Sequence, residues 1–87
     1  MSKIDKILLK ILSGSSDNNI EFDDLLKLLK ILGFEIRIKG SHHILTRDNI
    51  IEIINIQPKD SKVKNYQVKQ VREIIVKYNL NPSSDEF

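Results

Sequence analysis

The amino-acid sequence predicts a small α+β domain in which two helices, a three-stranded antiparallel meander and a last helix follow one another. The spacing of the apolar residues is helical before Gly33, alternates from Phe34 onward, and is helical again after Pro58. Short turns separate the strands, which favours antiparallel pairing of neighbours. Helices packed on one face of such a sheet are the economical arrangement.

Length and composition limit the classes of protein that remain. The chain has 87 residues, of which 40% are hydrophobic and 30% charged, as in one small globular domain. It has no cysteine, which excludes thiolate chemistry and fits a reducing cytoplasm. No apolar run approaches the roughly 20 residues of a membrane span, and Lys6 and Lys10 interrupt any signal-peptide core. We therefore expect a cytoplasmic protein without membrane contact.

Two N-terminal helices are predicted, the first from a start signal and the second from an end signal in the sequence. Ser2 and Asp5 have the spacing of a capping box. The first helix then presents an apolar stripe of Ile4, Ile7, Leu8, Ile11 and Leu12. After a flexible connector to Asn19, the second helix is predicted from about Phe22 to Leu32, with Gly33 capping its C-terminus. Its inward residues are predicted to be Phe22, Leu25, Leu26, Leu29 and Leu32.

The last helix is predicted over about Tyr66 to Leu80. Its apolar face consists of Val68, Val71, Ile74, Ile75 and Tyr78. Asn81-Pro82 ends it, and the residues from Ser83 to Phe87 are predicted to form a frayed tail.

The first hairpin decides which side chains share a sheet face. Gly40-Ser41 fits a two-residue type II′ turn, and this turn pairs Lys39 with His42. The face to be covered by helices then carries Phe34, Ile36, Ile38, His43 and Leu45. The open face carries Glu35, Arg37, Lys39, His42 and Thr46. A slip of one residue would exchange the two sets.

This register separates the two histidines. His43 is expected at the edge of the apolar face as a hydrogen-bonded structural residue. His42 is expected in solvent beside Lys39 and Arg37, where the pattern alone leaves a functional and a plain surface histidine both open. The isoleucines from Ile50 to Ile56 fit neither face cleanly, which predicts a bulge in the third strand.

A basic segment follows the sheet. Between residues 59 and 77 the chain has six basic and two acidic residues. Such a local positive field favours a polyanion, although a solvated loop and helix face explains it equally well. The candidate RNA contacts in this segment are Lys59, Lys62, Lys64, Lys69 and Arg72.

The order of these motifs resembles the HicA toxin family over residues 20–80. Leu32-Gly33-Phe34 is followed by Lys39-Gly40-Ser41-His42-His43-Ile44, and the basic segment leads into Val68-Lys69-Gln70-Val71-Arg72. The resemblance implies a double-stranded-RNA-binding-domain-like fold, cleavage of mRNA and neutralisation by a HicB antitoxin. It implies that His42, directly after Gly-Ser, is the catalytic histidine.

Relative to this family the chain divides into three parts. Residues 1–19 form an N-terminal helix and connector that compact members lack, residues 20–80 the HicA-like domain, and residues 81–87 a tail. The loop from Pro58 to Asn65 departs from the Gly- and Pro-rich sequence often found there. We expect a monomer when the protein is alone and a hetero-oligomer with the antitoxin.

The chemistry of RNA agrees with a single catalytic histidine. RNA carries its own nucleophile, the 2′-OH, and imidazole exchanges protons near neutral pH. Lys39 or Arg37 could stabilise charge on the phosphate. No set of residues has metal-ligand spacing, so we expect transesterification to a 2′,3′-cyclic phosphate without metal or cofactor. The alternatives are an RNA-binding module that does not cut, and a partner-binding domain that docks through its first helix.

Overall fold

The computed structural model describes residues 2–82 and confirms the predicted α+β class. The elements in chain order are α1 (Lys3–Ser13), α2 (Phe22–Ile31), β1 (Glu35–Lys39), β2 (His42–Arg47), β3 (Ile50–Ile56) and α3 (Asn65–Tyr78). The strands form one antiparallel sheet in the order β1-β2-β3. The tail predicted from Ser83 to Phe87 lies outside the described residues.

The ends of α1 and α2 follow the predicted capping chemistry. The Ser2 side chain accepts a hydrogen bond from the Asp5 backbone N–H at 3.1 Å, which supplies a partner for one amide of the first turn. At the end of α2, Gly33 adopts φ +96°, and its N–H donates to Lys30. The Phe34 N–H donates to the carbonyl of Leu29. This pair of bonds is a Schellman motif, and it turns the chain from α2 directly into β1.

The three helices share one core with the covered face of the sheet. In α2 the prediction placed Leu26 inward, but Leu28 is fully buried and Leu26 only partly so. The physical reason is α1, which packs against α2 and turns the buried arc toward Leu28. In α1 itself Ile11 is fully buried, whereas Leu12, predicted to face inward, is 38% exposed.

The predicted register of the first hairpin is confirmed. Lys39 pairs with His42 and Ile38 pairs with His43. Gly40 has φ +63°, and Ser41 is not among the residues with positive φ, as a type II′ turn requires. Ile38, expected under the helices, is 64% exposed, because it borders an open groove between α2 and the edge strand β1.

The predicted irregularity of the third strand is also confirmed. Leu45 pairs with Ile54 and Arg47 with Ile50, so Thr46 alone stands opposite residues 51–53. Because two residues are inserted, the strand keeps the same face toward the core on both sides of the irregularity. It leaves Ile51 and Ile53 87% and 60% exposed. Burial along β3 alternates regularly. The isoleucines fitted no simple alternation because they occupy both faces, with Ile54 and Ile56 in the core.

The basic loop after β3 is more regular than its sequence indicated. Lys59 and Lys62 exchange two backbone hydrogen bonds around Asp60 and Ser61, which have φ +53° and +67°. Two positive φ values in a two-residue turn are typical of type I′. Backbone hydrogen bonds join residues 61 and 63 to the chain at residues 20–22, so the loop is fixed beside the start of α2.

Candidate active site on the open sheet face

His42 lies exposed at the start of β2. It pairs directly with Lys39, and Arg37 shares the same face two residues along β1. The Nδ1 of His42 lies 3.0 Å from the Oδ1 of Asn55 on β3, and because an amide oxygen accepts, the two are hydrogen-bonded when Nδ1 carries the proton. The other ring nitrogen, Nε2, carries the lone pair in this tautomer. The site therefore presents one imidazole base between two cationic side chains and an amide.

The turn before His42 is also joined to the end of β3. The Ser41 hydroxyl donates to the Oε1 of Gln57 at 3.3 Å. Together with the bond from His42 to Asn55, this contact links the Gly-Ser-His turn to β3 through two side chains. Neither amide was singled out from the sequence. Asn55 could have been noticed as the one amide within an isoleucine-rich strand, but the irregularity at residue 46 prevented its assignment to a face.

His43 lies on the covered side of the same strand. It is half-buried, and its ring stands edge-on to Phe22, with centroids 4.8 Å apart and planes inclined by 77°. Its Nδ1 is buried and has no hydrogen-bond partner among the described residues. The ring is therefore held by aromatic packing, and the hydrogen bond expected for it is not found at Nδ1.

The sequence-predicted cations fall into separate groups. Arg37 and Lys39 lie on the open face with His42. Lys59, Lys62 and Lys64 lie on or beside the loop that follows β3. Of these, Lys62 pairs with the carboxylate of Glu21 and donates to Asn19 at 2.7 Å. The Nζ of Lys64 lies 5.9 Å from the centroid of the Tyr66 ring, within the range of a cation–π contact.

The two RNA-contact candidates on α3, Lys69 and Arg72, act on Asp17 in the connector after α1. Arg72 donates through Nη1 and Nη2 to the two carboxylate oxygens of Asp17, at 2.9 and 3.1 Å. Its Nη1 also donates to the backbone carbonyl of Ile11 at 3.1 Å. The hydrogen bonds from Arg72 lower the pKa of Asp17 below its ordinary value, and the charge of Lys69 adds to this effect. The structure thus does not bring Lys69 and Arg72 together with His42.

The far part of the open face is less polar. Ile51 and Ile53 are largely exposed, and Ile44 on the central strand β2 is half-exposed. A shallow depression of about 420 Å³ lies beside it over β1 and β2, lined by Glu35, Ile36, Arg37, Ile44 and Thr46. The face therefore combines a basic end at the hairpin with an apolar region beyond it.

Within residues 2–82, no helix is long and apolar enough to cross a membrane. In the same part of the chain, no three potential metal-binding side chains of His, Cys, Asp or Glu form a group.

The fold and this site define a class of protein. It is a double-stranded-RNA-binding-domain-like α+β domain with an added N-terminal helix, whose exposed sheet face carries a histidine beside two cations. The family described as HicA toxin of bacterial toxin–antitoxin matches residues 22–76, more than half of the chain. The chain therefore belongs to the HicA toxin family. Neither the curated proteins nor the solved structures gave a significant match.

Membership of this family gives the general role of the protein, and the matched range shows where α1 lies relative to the family domain. The protein is the toxin of a toxin–antitoxin system, and an antitoxin is its partner. The matched segment begins at Phe22, the first residue of α2. The helix α1 therefore precedes the family domain.

Proposed function

We propose that this toxin is an endoribonuclease that cleaves mRNA, with His42 as the catalytic residue. One observation carries the proposal: an exposed imidazole whose Nδ1–H is held by Asn55 at 3.0 Å stands directly opposite Lys39. Its Nε2 is thereby left as a base on the face that is open to a large substrate. General acid–base assistance of this kind typically contributes about 10²–10⁴ in rate.

The proposed reaction is an internal transesterification of RNA. The Nε2 of His42 takes the proton of the 2′-OH, and the 2′ oxygen attacks the adjacent phosphorus. The bond from phosphorus to the 5′ oxygen breaks, and this oxygen leaves with a proton supplied by the imidazolium or by water. Lys39 and Arg37 stabilise the negative charge that develops on the phosphate. The products are a 2′,3′-cyclic phosphate and a 5′-OH.

For the RNA surface we propose the open face and the adjoining loop. Arg37 and Lys39 flank His42, and the loop bearing Lys59 and Lys64 continues from the end of β3 where Gln57 contacts Ser41. Cations at these places would meet phosphates on either side of the cleaved bond. The remaining candidates for RNA contacts are Lys62, Lys69 and Arg72. Lys62 and Arg72 already pair with acidic side chains of the protein, and RNA would have to compete with these carboxylates.

Among these candidates, Arg72 makes the most hydrogen bonds within the protein. Its guanidinium is used by Asp17 and by the carbonyl of Ile11, and RNA would have to displace both. We therefore assign it a structural role and keep Lys69, which lies near Asp17, as a peripheral contact.

The proposed position of the antitoxin is the open face. The exposed side chains of Ile51 and Ile53 lie on the face that carries His42, and apolar area of this kind is a usual core of a protein interface. A partner that buries both isoleucines would also cover the imidazole. Inhibition by covering the site follows from this position.

The test compares the purified protein with His42→Ala on a single-stranded RNA. Val76→Ala, at a position of α3 that is 66% exposed and lies outside the open face, is the matched control. We expect cleavage by the parent and the control, fragments ending in a 2′,3′-cyclic phosphate, and a loss of at least about 100-fold in His42→Ala. In bacteria, growth arrest should be relieved by the same substitution and by co-expression of the neighbouring antitoxin gene.

Three results would contradict parts of the proposal. Equal cleavage by His42→Ala would exclude this residue as the catalyst. An upstream fragment with a free 3′-OH would exclude the transesterification. Salt-dependent RNA binding without cleavage would identify the RNA-binding module that does not cut.

A further inference from the structure

We infer that Asn55 is the positioning residue of the site: its carboxamide oxygen selects the tautomer of His42 that leaves Nε2 available as the base. The inference deepens the proposed function and rests on it. Asn55 lies on β3, outside the Gly-Ser-His turn, and acts through His42 without touching the reacting atoms.

The contact favours one tautomer of His42. A neutral imidazole has one N–H and one acceptor nitrogen. Oδ1 of a carboxamide can only accept, so a ring nitrogen 3.0 Å from it must carry the hydrogen. Because the carboxamide has no charge, it selects this tautomer without the added attraction that a carboxylate exerts on an imidazolium. The ring thus stays oriented while it takes up and gives back a proton.

The backbone of Asn55 is held from the opposite side of the sheet. Its carbonyl accepts a hydrogen bond from the Nε2 of Gln67 at 3.2 Å, and Gln67 on α3 is only 6% exposed. The two neighbouring residues of the strand, Ile54 and Ile56, are fully buried in the core. The carboxamide therefore projects from a strand segment that α3 and the core hold in place.

A second hydrogen bond holds the turn before His42 against the end of β3. Ser41 donates to Gln57, two residues beyond Asn55 on the chain. The turn that presents His42 is thus joined to β3 on both sides of residue 56. A rigid turn and a rigid acceptor are what a single imidazole needs in order to keep one orientation.

The test uses the full chain with Asn55→Leu, which removes the acceptor at similar size, and Asn55→Asp, which keeps an acceptor. Val76→Ala again serves as the control, at an exposed position of α3 outside the open face. Two quantities are measured at a pH where the imidazole is neutral. The first is the ratio of Nδ1–H to Nε2–H forms of His42 from ¹⁵N NMR, with His43 as the internal reference. The second is the pair kcat and KM for RNA cleavage.

We expect Asn55→Leu to move His42 toward the Nε2–H form. Its kcat should fall about five- to tenfold, as when one hydrogen bond ceases to select a tautomer. KM should stay within about twofold, because the substrate contacts are unchanged. Asn55→Asp should retain the Nδ1–H form and restore kcat to within about threefold of the parent. Val76→Ala should match the parent in both measurements.

The inference is overturned if Asn55→Leu keeps the parent tautomer ratio, or if its kcat equals that of the parent. A raised KM with unchanged kcat would make Asn55 an RNA contact and would also overturn it. Circular dichroism and thermal unfolding show whether each variant is folded. The NMR measurement requires no cleavage, so a parent protein without ribonuclease activity would refute the proposed function and leave the tautomer result to be read separately.

Discussion

The ion pair between Arg72 and Asp17 ties the connector after α1 to α3, and its removal has a calculable effect. The pair is bidentate, at 2.9 and 3.1 Å, and Arg72 also caps the carbonyl of Ile11 in the last turn of α1. The two side chains are 20% and 22% exposed, so solvent screens them less than a surface pair. Hydrogen bonds to charged groups contribute about 1.5–3 kcal/mol, and we discount this range for the remaining exposure.

We therefore expect Arg72→Met, which keeps the apolar stem, to lower the free energy of unfolding by about 1–2 kcal/mol. The assay is urea denaturation of the parent, Arg72→Met, Asp17→Asn and the double variant. The coupling energy of this cycle should be about 1 kcal/mol. Lys69→Met is the matched control, because Lys69 acts on Asp17 only through its charge, and it should change stability by less than about 0.5 kcal/mol.

The pH dependence of the same cycle gives a second check. The pKa of Asp17 is lowered in the folded protein from its ordinary value of 3.8. The contribution of the carboxylate is therefore present above that value and is lost as the pH falls through the lowered pKa. A coupling energy that is zero at neutral pH, or that persists after Asp17 is protonated, would refute the assignment of Arg72 as the tie between α1 and α3.

Two further predictions concern the sheet. Gly40→Ala should lower the free energy of unfolding by about 1–2 kcal/mol, because alanine is strained at the φ of +63° that this turn requires. The added Cβ would meet open space, so no steric clash contributes. Urea denaturation measures the change, and an unchanged midpoint would contradict the prediction. Glu52→Gln should weaken the loss of stability in acid. Hydrogen bonds from Lys77 and Tyr78 lower the pKa of Glu52 from 4.5 to about 2, so the parent loses this contribution as the pH falls from 4.5 toward 2. Identical acid unfolding of the two proteins would argue against it.

The hairpin that carries His42 could be predicted because its determinants are local. A glycine in the first central position of a two-residue turn selects the turn type, and the turn type sets the register. The register in turn sets the face of each neighbour, so the pairing of Lys39 with His42 followed from six residues of sequence. The end of α2 was predictable for the same reason, since Gly33 and the switch of period are adjacent.

The partners of His42 and of Arg72 could not be predicted because they are distant in sequence. Asn55 lies 13 residues from His42, beyond the irregularity in the pairing of β2 with β3. Asp17 lies 55 residues from Arg72, and no periodic pattern relates the two. The exposure of Ile38 likewise depends on the gap between α2 and the edge strand, which alternation along β1 does not encode.

The same long-range contacts change the meaning of the basic segment. Counted along the chain, residues 59–77 carry an excess of four positive charges, which would place an RNA surface on α3. In the folded protein, three of these six cations pair with acidic side chains from other elements: Lys62 with Glu21, Arg72 with Asp17 and Lys77 with Glu52. Much of the field of the segment is therefore neutralised within the fold. Arg37 and Lys39 lie on the sheet beside His42 instead, and in the proposed reaction a phosphate steered toward them would arrive at this residue.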